Sequence, residues 1–389
     1  MKPKVVIIGG GVAGLMLANL LYTEGVACVI LERQTRAYTE ARIRAGVLEH
    51  GTVDLLYRTG VHANMDKKGL PHDGFTLLNE AGKLRVDLKS LTGQGVMVYG
   101  QTEITIDLMD ACMARNIPII FEAENVMPHD IEGVTPTVTY RKDGVEQRLT
   151  CDFIAGCDGF HGISRPSIPD AAKAAMEKLY PFSWLGILAD VPPMDHELVY
   201  ASHERGFALA SMRSATRSRY YLQVGHEEKP DDWPDQRIWD ELSHRLQDGQ
   251  AGHITRGPLI EKSIVPLRSY VFPIMRHGRL FLCGDAAHIV PPTGAKGLNL
   301  AASDVAYLFE ALIQQLKQGD ETGLKAYEHR AQARIWKAER FSWFMTNLTH
   351  RFPGRSAFED RIQQAERAYI HHSVAAQTSI AENYIGLPM

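Results

Sequence analysis

The chain has 389 residues, 45% of them hydrophobic, with 46 acidic against 42 basic side chains and a formal net charge of −4. That length and apolar content support a sizeable core and two or three domains. The near-even charge excludes a protein that tracks a nucleic-acid backbone, which needs a basic balance or a long basic stripe, and no segment is long and apolar enough to predict a bilayer span.

In chain order, residues 4–8 (KVVII) read as a strand, 12–24 (VAGLMLANLLYTE) as a helix and 26–32 (VACVILE) as a second strand, a βαβ unit. Lys2 and Lys4 ahead of an apolar run have the outline of a signal peptide. Three glycines interrupt that run and no small-residue cleavage site follows, so a cytoplasmic protein is expected. Helices are predicted at 47–60 and 104–115, and strands at 117–121, 136–140, 148–155 and 279–283. Residues 184–275 read as strands broken by one acidic, Trp-bearing helix near 233–247, and the chain beyond Gly297 reads as mostly helical. Five cysteines (Cys28, Cys112, Cys151, Cys157, Cys283) form no CxxC pair, as expected of buried thiols in a reducing compartment rather than a disulfide framework or metal site. No metal is expected.

GGGVAG places Gly9, Gly11 and Gly14 in GxGxxG spacing between the first strand and helix. Gly9 permits the tight turn, Gly11 lets the backbone approach a pyrophosphate, and Gly14 permits close helix–strand packing, with the helix N-terminus attracting phosphate charge. Glu32 ends the second strand, where a carboxylate accepts hydrogen bonds from a ribose diol. Ala13 offers no hydroxyl, leaving backbone N–H groups to hold the phosphate. These features predict an ADP-containing cofactor without choosing between FAD and NAD.

The stretch RLFLCGDAAHIVPPTGAKGLNLAASD (279–304) runs a strand into Gly284–Asp285, then through a Pro/Gly loop into a helix. A buried carboxylate at Asp285 would take the hydroxyls of a ribityl chain, and the loop 291–299 with its helix N-terminus would stabilise negative charge on a reduced isoalloxazine. Taken alone, the same turn also reads as an ordinary N-capping Asp. CDFIAGCDGFHGISRPSI (151–168) alone reads as a surface loop, and SMRSATRSRYYLQ (211–223) as a solvated strand face or a pocket for a small anion.

Together, these segments resemble the group A flavoprotein aromatic hydroxylases over essentially the whole chain. The likeness extends through ERQTRAYTEARIRAGVLE (32–49), YGQTE (99–103), CDGFHGISR (157–165), RSATRSRYY (213–221), RIWKAERFSW (334–343) and IAENYIGLP (380–388), the last two being no part of a generic flavin fold. It implies an α/β (mixed α+β) fold: a Rossmann-like GxGxxG FAD domain over 1–70, 97–180 and 270–300, an inserted sheet-rich substrate domain over 71–96 and 181–269, and a helical C-terminal region over 301–389.

The resemblance further implies that NADPH reduces FAD and that a flavin hydroperoxide hydroxylates 4-hydroxybenzoate at the 3-position to 3,4-dihydroxybenzoate. Ser211, Met212, Arg213 and Tyr221 would bind the substrate, Arg213 as a fork on its carboxylate. Tyr200 would hydrogen-bond the phenol oxygen, Tyr384 would follow it, and His72 would end a proton path to solvent, exchanging near neutral pH. Pro292 and Thr293 would line the pocket. Arg42, Ile43, Arg44, Ala45, Gly46, Val47, Gln101, Asp158, Arg219, Asp285, Gly297, Leu298 and Asn299 fall on FAD positions, Arg219 steering the flavin. His161, Arg165 and Arg268 fall on nicotinamide positions. The segment Arg33-Gln34-Thr35-Arg36-Ala37-Tyr38 offers two cations and an aromatic to a 2′-phosphate, hence NADPH. A homodimer is implied too. On their own, His72 reads as a surface histidine, Tyr384 as a packed aromatic and Arg33 as a solvated cation. The alternatives are a hydroxylase for 3,4-dihydroxybenzoate or 4-aminobenzoate, or a flavin-fold binding module without turnover.

Overall fold

A computed structural model describes residues 3–41, 46–169, 175–247 and 249–389. The strands Val5–Ile8 and Cys28–Leu31 are apolar and buried at every position. Runs of that kind belong in a parallel sheet covered on both faces, and the two pair from Val5–Cys28 to Ile8–Leu31. The full sheet has six strands in the order Arg276–His277, Leu280–Leu282, Phe153–Gly156, Val5–Ile8, Cys28–Leu31 and Ile119–Ile120. The helix Val12–Thr23 joins the first two strands and buries Leu15, Met16, Leu17 and Leu20 against them. The expected βαβ unit and mixed α/β architecture are therefore present.

Two predicted elements are corrected. The strand expected at 148–155 divides at Cys151. Val145–Thr150 is largely exposed and pairs antiparallel with Thr137–Lys142, whereas the fully buried Phe153–Gly156 joins the parallel sheet beside Val5–Ile8. The helix expected at 47–60 starts only at His50, because Val47 and Leu48 pair as a short strand with Val98 and Met97. Asn299 holds that departure from helix: its Nδ2 donates to Val47 O at 2.9 Å and its Oδ1 accepts from Glu49 N at 2.9 Å. A residue 250 positions away outweighs local periodicity here.

A second sheet of eight strands carries the middle of the chain, in the order His288–Ile289, Leu259–Val271, Met176–Ala189, Arg217–Val224, Gly206–Ser214, Leu198–His203, Gly74–Asn79 and Gly82–Asp87. Met176–Ala189 and Leu259–Val271 run unbroken through residues 180 and 270, pairing from Met176–Val271 to Ala189–Leu259. We propose dividing the two units at the start of that ribbon rather than within it. Side chains alternate between faces. One face packs Leu185, Ile187, Tyr220 and Leu222 under Trp233 and the helix Asp235–Arg245. The other packs Phe75, Leu77, Tyr200, Phe207 and Leu209 against Phe341, Met345, Ile380 and Tyr384 of the C-terminal helices. Those helices, Gly297–Gln318, Thr322–Thr349, Ala357–His372 and Val374–Ile385, fill the chain after Gly297 as expected.

A buried ion cluster ties these parts together. Glu49 is 3% exposed; its Oε1 accepts from Lys296 Nζ at 2.6 Å and its Oε2 from Arg334 Nη2 at 2.8 Å. Lys296 also donates to Tyr384 O at 3.1 Å, and Arg334 Nη1 to Leu387 O at 2.5 Å. Removing one member leaves a buried charge short of a partner, at a cost of about 3–5 kcal/mol. Arg334→Met is therefore expected to lower unfolding free energy by that amount in urea titrations of the full chain, and a loss under ~1 kcal/mol would show the cluster to be energetically idle.

Candidate active site

The glycine turn is crowded where backbone must pass and open where a ligand must sit. A Cβ on Gly9 would lie 2.3 Å from Cys157 O, and one on Gly14 2.1 Å from Gly9 O, whereas one on Gly11 would meet nothing within 4 Å. Gly11 caps the helix Val12–Thr23 through its backbone, with the N–H groups of Val12, Ala13 and Gly14 at the open end. Glu32 accepts from Gly10 N at 2.7 Å and Gln34 N at 2.8 Å, which orients its carboxylate over the turn. Asp158 Oδ2 accepts from Ser164 N and Oγ, both at 2.9 Å, while its buried Oδ1 has no protein partner. Burial raises the Asp158 carboxyl above its ordinary range. An open helix N-terminus, an oriented acid and an acceptor wanting a donor fit the ADP and ribose portions of a dinucleotide.

On the opposite wall, Gly284–Ala286 form a 3-10 turn in which Asp285 is half-buried rather than buried. The fully buried carboxylate is Asp304, which accepts from Gly284 N at 2.9 Å and contacts His288 Nε2 at 2.6 Å. It fixes the turn carrying Asp285. Pro292 is exposed, Thr293 is buried and accepts from Thr346 Oγ1 at 3.0 Å, and Ala295 sits at φ 53°, strained for a residue with a side chain. The helix beginning at Gly297 leaves the first N–H groups, of Gly297, Leu298 and Asn299, ahead of the Leu300 N–Lys296 O bond. The Asn299 side chain is spent on Val47 O, Ala295 O, Glu49 N and Thr52 Oγ1, so as a cofactor contact it has only its backbone to offer. Gly46 and Val47 lie beside Tyr99 and Val98, next to Gln101 at the start of the helix Gln101–Ala114. Arg42, Ile43, Arg44 and Ala45 lie outside the described residues.

Strand register places the arginine-rich stretch within the eight-stranded sheet. Tyr200 lies opposite Leu209, Leu209 opposite Tyr221, and Tyr221 opposite Gly186. Two residues along, Ser211 lies opposite Arg219. Ser211, Arg219, Tyr221 and Tyr200 thus face the same side of the sheet, and Arg213, at an irregularity in the register, reaches Ser211 from it. Arg213 Nη1 donates to Ser211 Oγ at 3.0 Å and Met212 O at 3.1 Å, leaving its buried Nε without a partner. Burial pulls its guanidinium below the ordinary arginine range. Met212 is buried beneath. Arg219 is 6% exposed, stacks over Tyr221 at 5.3 Å and meets Glu261 at 3.7 Å.

Tyr200 and Tyr384 are each 2% exposed, and their hydroxyls are 2.9 Å apart although 184 residues separate them. Burial raises both phenols above their ordinary range. Phe75 stacks on Tyr384 at 4.4 Å. His72 corrects its expectation. It is 1% exposed, not on the surface, and burial lowers its pKa to about 4, so it is neutral rather than exchanging near pH 7. Neither ring nitrogen has a protein partner.

The residues assigned to the nicotinamide fall into two groups. His161, Arg165 and Arg268 gather around Phe160, the two guanidiniums lying 4.6 and 4.9 Å from its ring. Arg165 also donates to Ala286 O at 3.0 Å. Phe160 carries no polar signal, so sequence reasoning passed over it. Arg33, Gln34 and Tyr38 lie on the turn and short helix after Leu31, with Arg33 and Tyr38 exposed. Arg36, counted as a second cation there, is instead paired with Glu40 and Asp110 at 2.5 Å each. The two groups share no hydrogen bond, ion pair or ring contact among the described residues. Glu49, Lys296 and Arg334 were also missed; all three sit in stretches that carry the resemblance, but nothing local pairs them.

The glycine turn fits a dinucleotide, and a separate sheet face carries Tyr200, Ser211, Arg213 and Tyr221. The FAD binding domain family matches residues 2–342. The p-hydroxybenzoate hydroxylase of Acinetobacter baylyi is 54% identical over 389 residues, covering 100% of this chain and 96% of the relative. The 6-hydroxynicotinate 3-monooxygenase of Pseudomonas fluorescens is 24% identical, over 89% and 93% of the two chains. The crystal structure of p-nitrophenol 4-monooxygenase from Pseudomonas putida superposes with a TM-score of 0.82 at 17% identity, covering 100% and 99%. The chain belongs to the group A family of flavoprotein aromatic hydroxylases. It is a flavoprotein aromatic monooxygenase using FAD and a nicotinamide reductant.

Buried titratable groups set an acid limit on this site. His72 and His350 are held neutral, with pKa values lowered to about 4 and about 3 by burial, against ordinary values near 6.5. Each favours the folded state fully above pH 6.5 and loses that contribution as pH falls toward its folded value. Glu339, raised to about 7 by burial, acts in the opposite sense and offsets one of the two. These three groups together take up about one proton on unfolding near pH 5.5, so their combined contribution to unfolding free energy is expected to drop by about 1.4 kcal/mol per unit from pH 6 to 5. Urea titrations at those two pH values check it, and a flat or inverted slope would contradict the buried neutral histidines.

Proposed function

We propose that this monooxygenase hydroxylates 4-hydroxybenzoate beside its phenol to give 3,4-dihydroxybenzoate, with NADPH as reductant. The observation that carries the reading is the buried Tyr200–Tyr384 hydroxyl pair on the sheet face that also holds Ser211 and Arg213. Ser211 is two residues beyond the Tyr200 row, about 7 Å along the strand direction, the scale of a ring bearing a carboxylate at one end and a phenol at the other. The name of the 54%-identical relative supports the same substrate.

Bound in the cradle, FAD supplies reduction by the nicotinamide, activation of O₂ and transfer of one oxygen atom. The chain's own residues bind, orient and move a proton. Arg213 presents its unpartnered Nε edge to the carboxylate. Tyr200 meets the phenol oxygen and passes its proton to Tyr384, since a tyrosine hydroxyl both donates and accepts. Neutral His72 continues the path, one ring nitrogen accepting while the other donates. An ordinary phenol titrates near ~10, and making its anion accessible near neutrality calls for about 3–4 kcal/mol of differential stabilisation. The Phe160–Arg165–Arg268–His161 cluster and the exposed Arg33 and Tyr38 support a nicotinamide site with a phosphate-reading edge. Exposed Trp336 and Trp343, seven apart on one helix, support a homodimer, and five buried free cysteines support a cytoplasmic setting.

Anaerobic flavin reduction by NADPH and NADH against a panel of benzoates tests the whole reading. 4-Hydroxybenzoate should accelerate reduction most, NADPH should win in kcat/KM, and Arg213→Ala should weaken substrate binding by about 2–5 kcal/mol, with Arg213→Lys recovering only part. Acceleration by 4-aminobenzoate or 3,4-dihydroxybenzoate instead, or an unchanged Kd in the alanine variant, would overturn it.

The tyrosine pair gives a separate expectation. Tyr200→Phe and Tyr384→Phe should keep FAD and bind substrate, yet lose the absorbance of bound phenolate and divert NADPH oxidation to H₂O₂, Tyr200→Phe more severely. Wild-type product yield per NADPH in either variant would make that tyrosine a packing residue only.

A further inference from the structure

The helix Thr322–Thr349 ends against the substrate sheet in a histidine. His350 caps that helix and is fully buried, at 0% exposure. Its backbone N donates to Thr346 O at 3.0 Å, and its own carbonyl accepts from Gln363 Nε2 at 2.9 Å. Thr346 is fixed in turn, its Oγ1 lying 2.7 Å from Ser342 O and 3.0 Å from Thr293 Oγ1. The His350 ring stacks on Phe182 at 4.8 Å and on Phe207 at 4.2 Å. No use has yet been found for so tightly held an imidazole.

The partners of its two ring nitrogens leave one protonation pattern. Trp184 Nε1 lies 2.7 Å from His350 Nε2, and an indole N–H only donates, so Nε2 must accept. Nδ1 lies 3.1 Å from Thr346 O, which only accepts, and 3.0 Å from Thr349 Oγ1, which itself donates to Met345 O at 2.7 Å. Nδ1 therefore carries the hydrogen. The neutral ring satisfies the N–H of a tryptophan that is 3% exposed. Held in this way, the indole lies 5.1 Å from the Phe207 ring and 4.9 Å from the Tyr221 ring. Tyr221 also has the Arg219 guanidinium at 5.3 Å, while Gly186, opposite it on the neighbouring strand, brings no side chain. Indole and guanidinium thus flank that phenol.

We propose that His350 is a positioning residue for the carboxylate end of the substrate: by accepting from the Trp184 indole it holds that ring against Tyr221, and so sets the phenol that meets the carboxylate. The inference rests on the proposed role of Tyr221 beside Ser211 and Arg213. His350 acts through Trp184 and not on the substrate, because both its ring nitrogens are spent on protein partners. It tunes affinity for the carboxylate and leaves the phenol end, at Tyr200 and Tyr384, alone. The fixed tautomer makes the requirement specific. A side chain in that place must accept from an indole and donate to a carbonyl, which glutamine can do and phenylalanine cannot.

The test compares 4-hydroxybenzoate with 4-methylphenol, which keeps the phenol and lacks the carboxylate, by titration against the flavin absorbance of the FAD-loaded protein. His350→Phe keeps a stacking ring and removes the acceptor. It should raise the Kd for 4-hydroxybenzoate at least tenfold, while the Kd for 4-methylphenol and kcat at saturation stay within about twofold of the unaltered protein. His350→Gln should bring the 4-hydroxybenzoate Kd back to within about threefold. Trp184→Phe should match His350→Phe, and the double variant should be no more than about twofold worse than either, as expected of two residues acting as one unit. If His350→Phe does not fold, Trp184→Phe and His350→Gln carry the same comparison. An unchanged 4-hydroxybenzoate Kd in the phenylalanine variants, equal weakening of both ligands, or additive losses would overturn the inference. If Arg213→Ala also binds 4-hydroxybenzoate unchanged, the carboxylate reading falls with it; if Arg213→Ala loses binding, that reading stands and the role of His350 alone is removed.

Discussion

The carboxylate of Glu49 sits in the protein interior with two cations on it, and three separate regions of chain meet there. Lys296 comes from the cap of the helix Gly297–Gln318, Arg334 from the long C-terminal helix, and Glu49 from the end of the short strand before His50–Thr59. Through Lys296 the cluster also holds the backbone of Tyr384. A buried charge tolerates few geometries, so the helix N-terminus and Tyr384 are held in one frame. Burial pulls the Lys296 ammonium below its ordinary range, against the Glu49 carboxylate that favours its charge.

That frame gives meaning to the sheet face it backs. The alternation of strand side chains sends Leu222, Tyr220 and Ile187 into an ordinary apolar layer beneath Trp233 and Trp239. The same alternation sends Tyr200, Ser211, Arg219 and Tyr221, with Arg213 reaching Ser211, toward the C-terminal helices, where polar groups are unusual and an unpartnered guanidinium edge is costly. The apolar shell of Phe75, Trp184 and Phe207 strengthens each charge interaction made there.

Much of the flavoprotein reading was legible in local residues. GxGxxG between a strand and a helix, closed by Glu32, is a short-range pattern whose geometry follows from glycine sterics and helix N–H groups, and the strand, tight turn and helix are present. Long apolar runs in 4–8 and 28–31 likewise admit few places other than a doubly covered sheet. The misreadings have a common origin. Helix periodicity at 47–60 was overridden by Asn299, the run 148–155 was divided between two sheets, His72 was buried, and Asp285 yielded its buried place to Asp304. In each case a distant contact won over a local preference.

By itself, the sequence determined the dinucleotide-binding turn, the strand and helix alternation around it, and an arginine-rich segment that needed an anion or water. Those properties are set within a few residues, by backbone conformation, side-chain period and charge. Only the tertiary structure decided that Tyr200 and Tyr384 touch, that Arg213 keeps one edge free, and that Glu49, Lys296 and Arg334 share one interior site. Such pairings depend on which surfaces are excluded from water together. That is a property of how the sheets and helices pack, and no short stretch of chain encodes it.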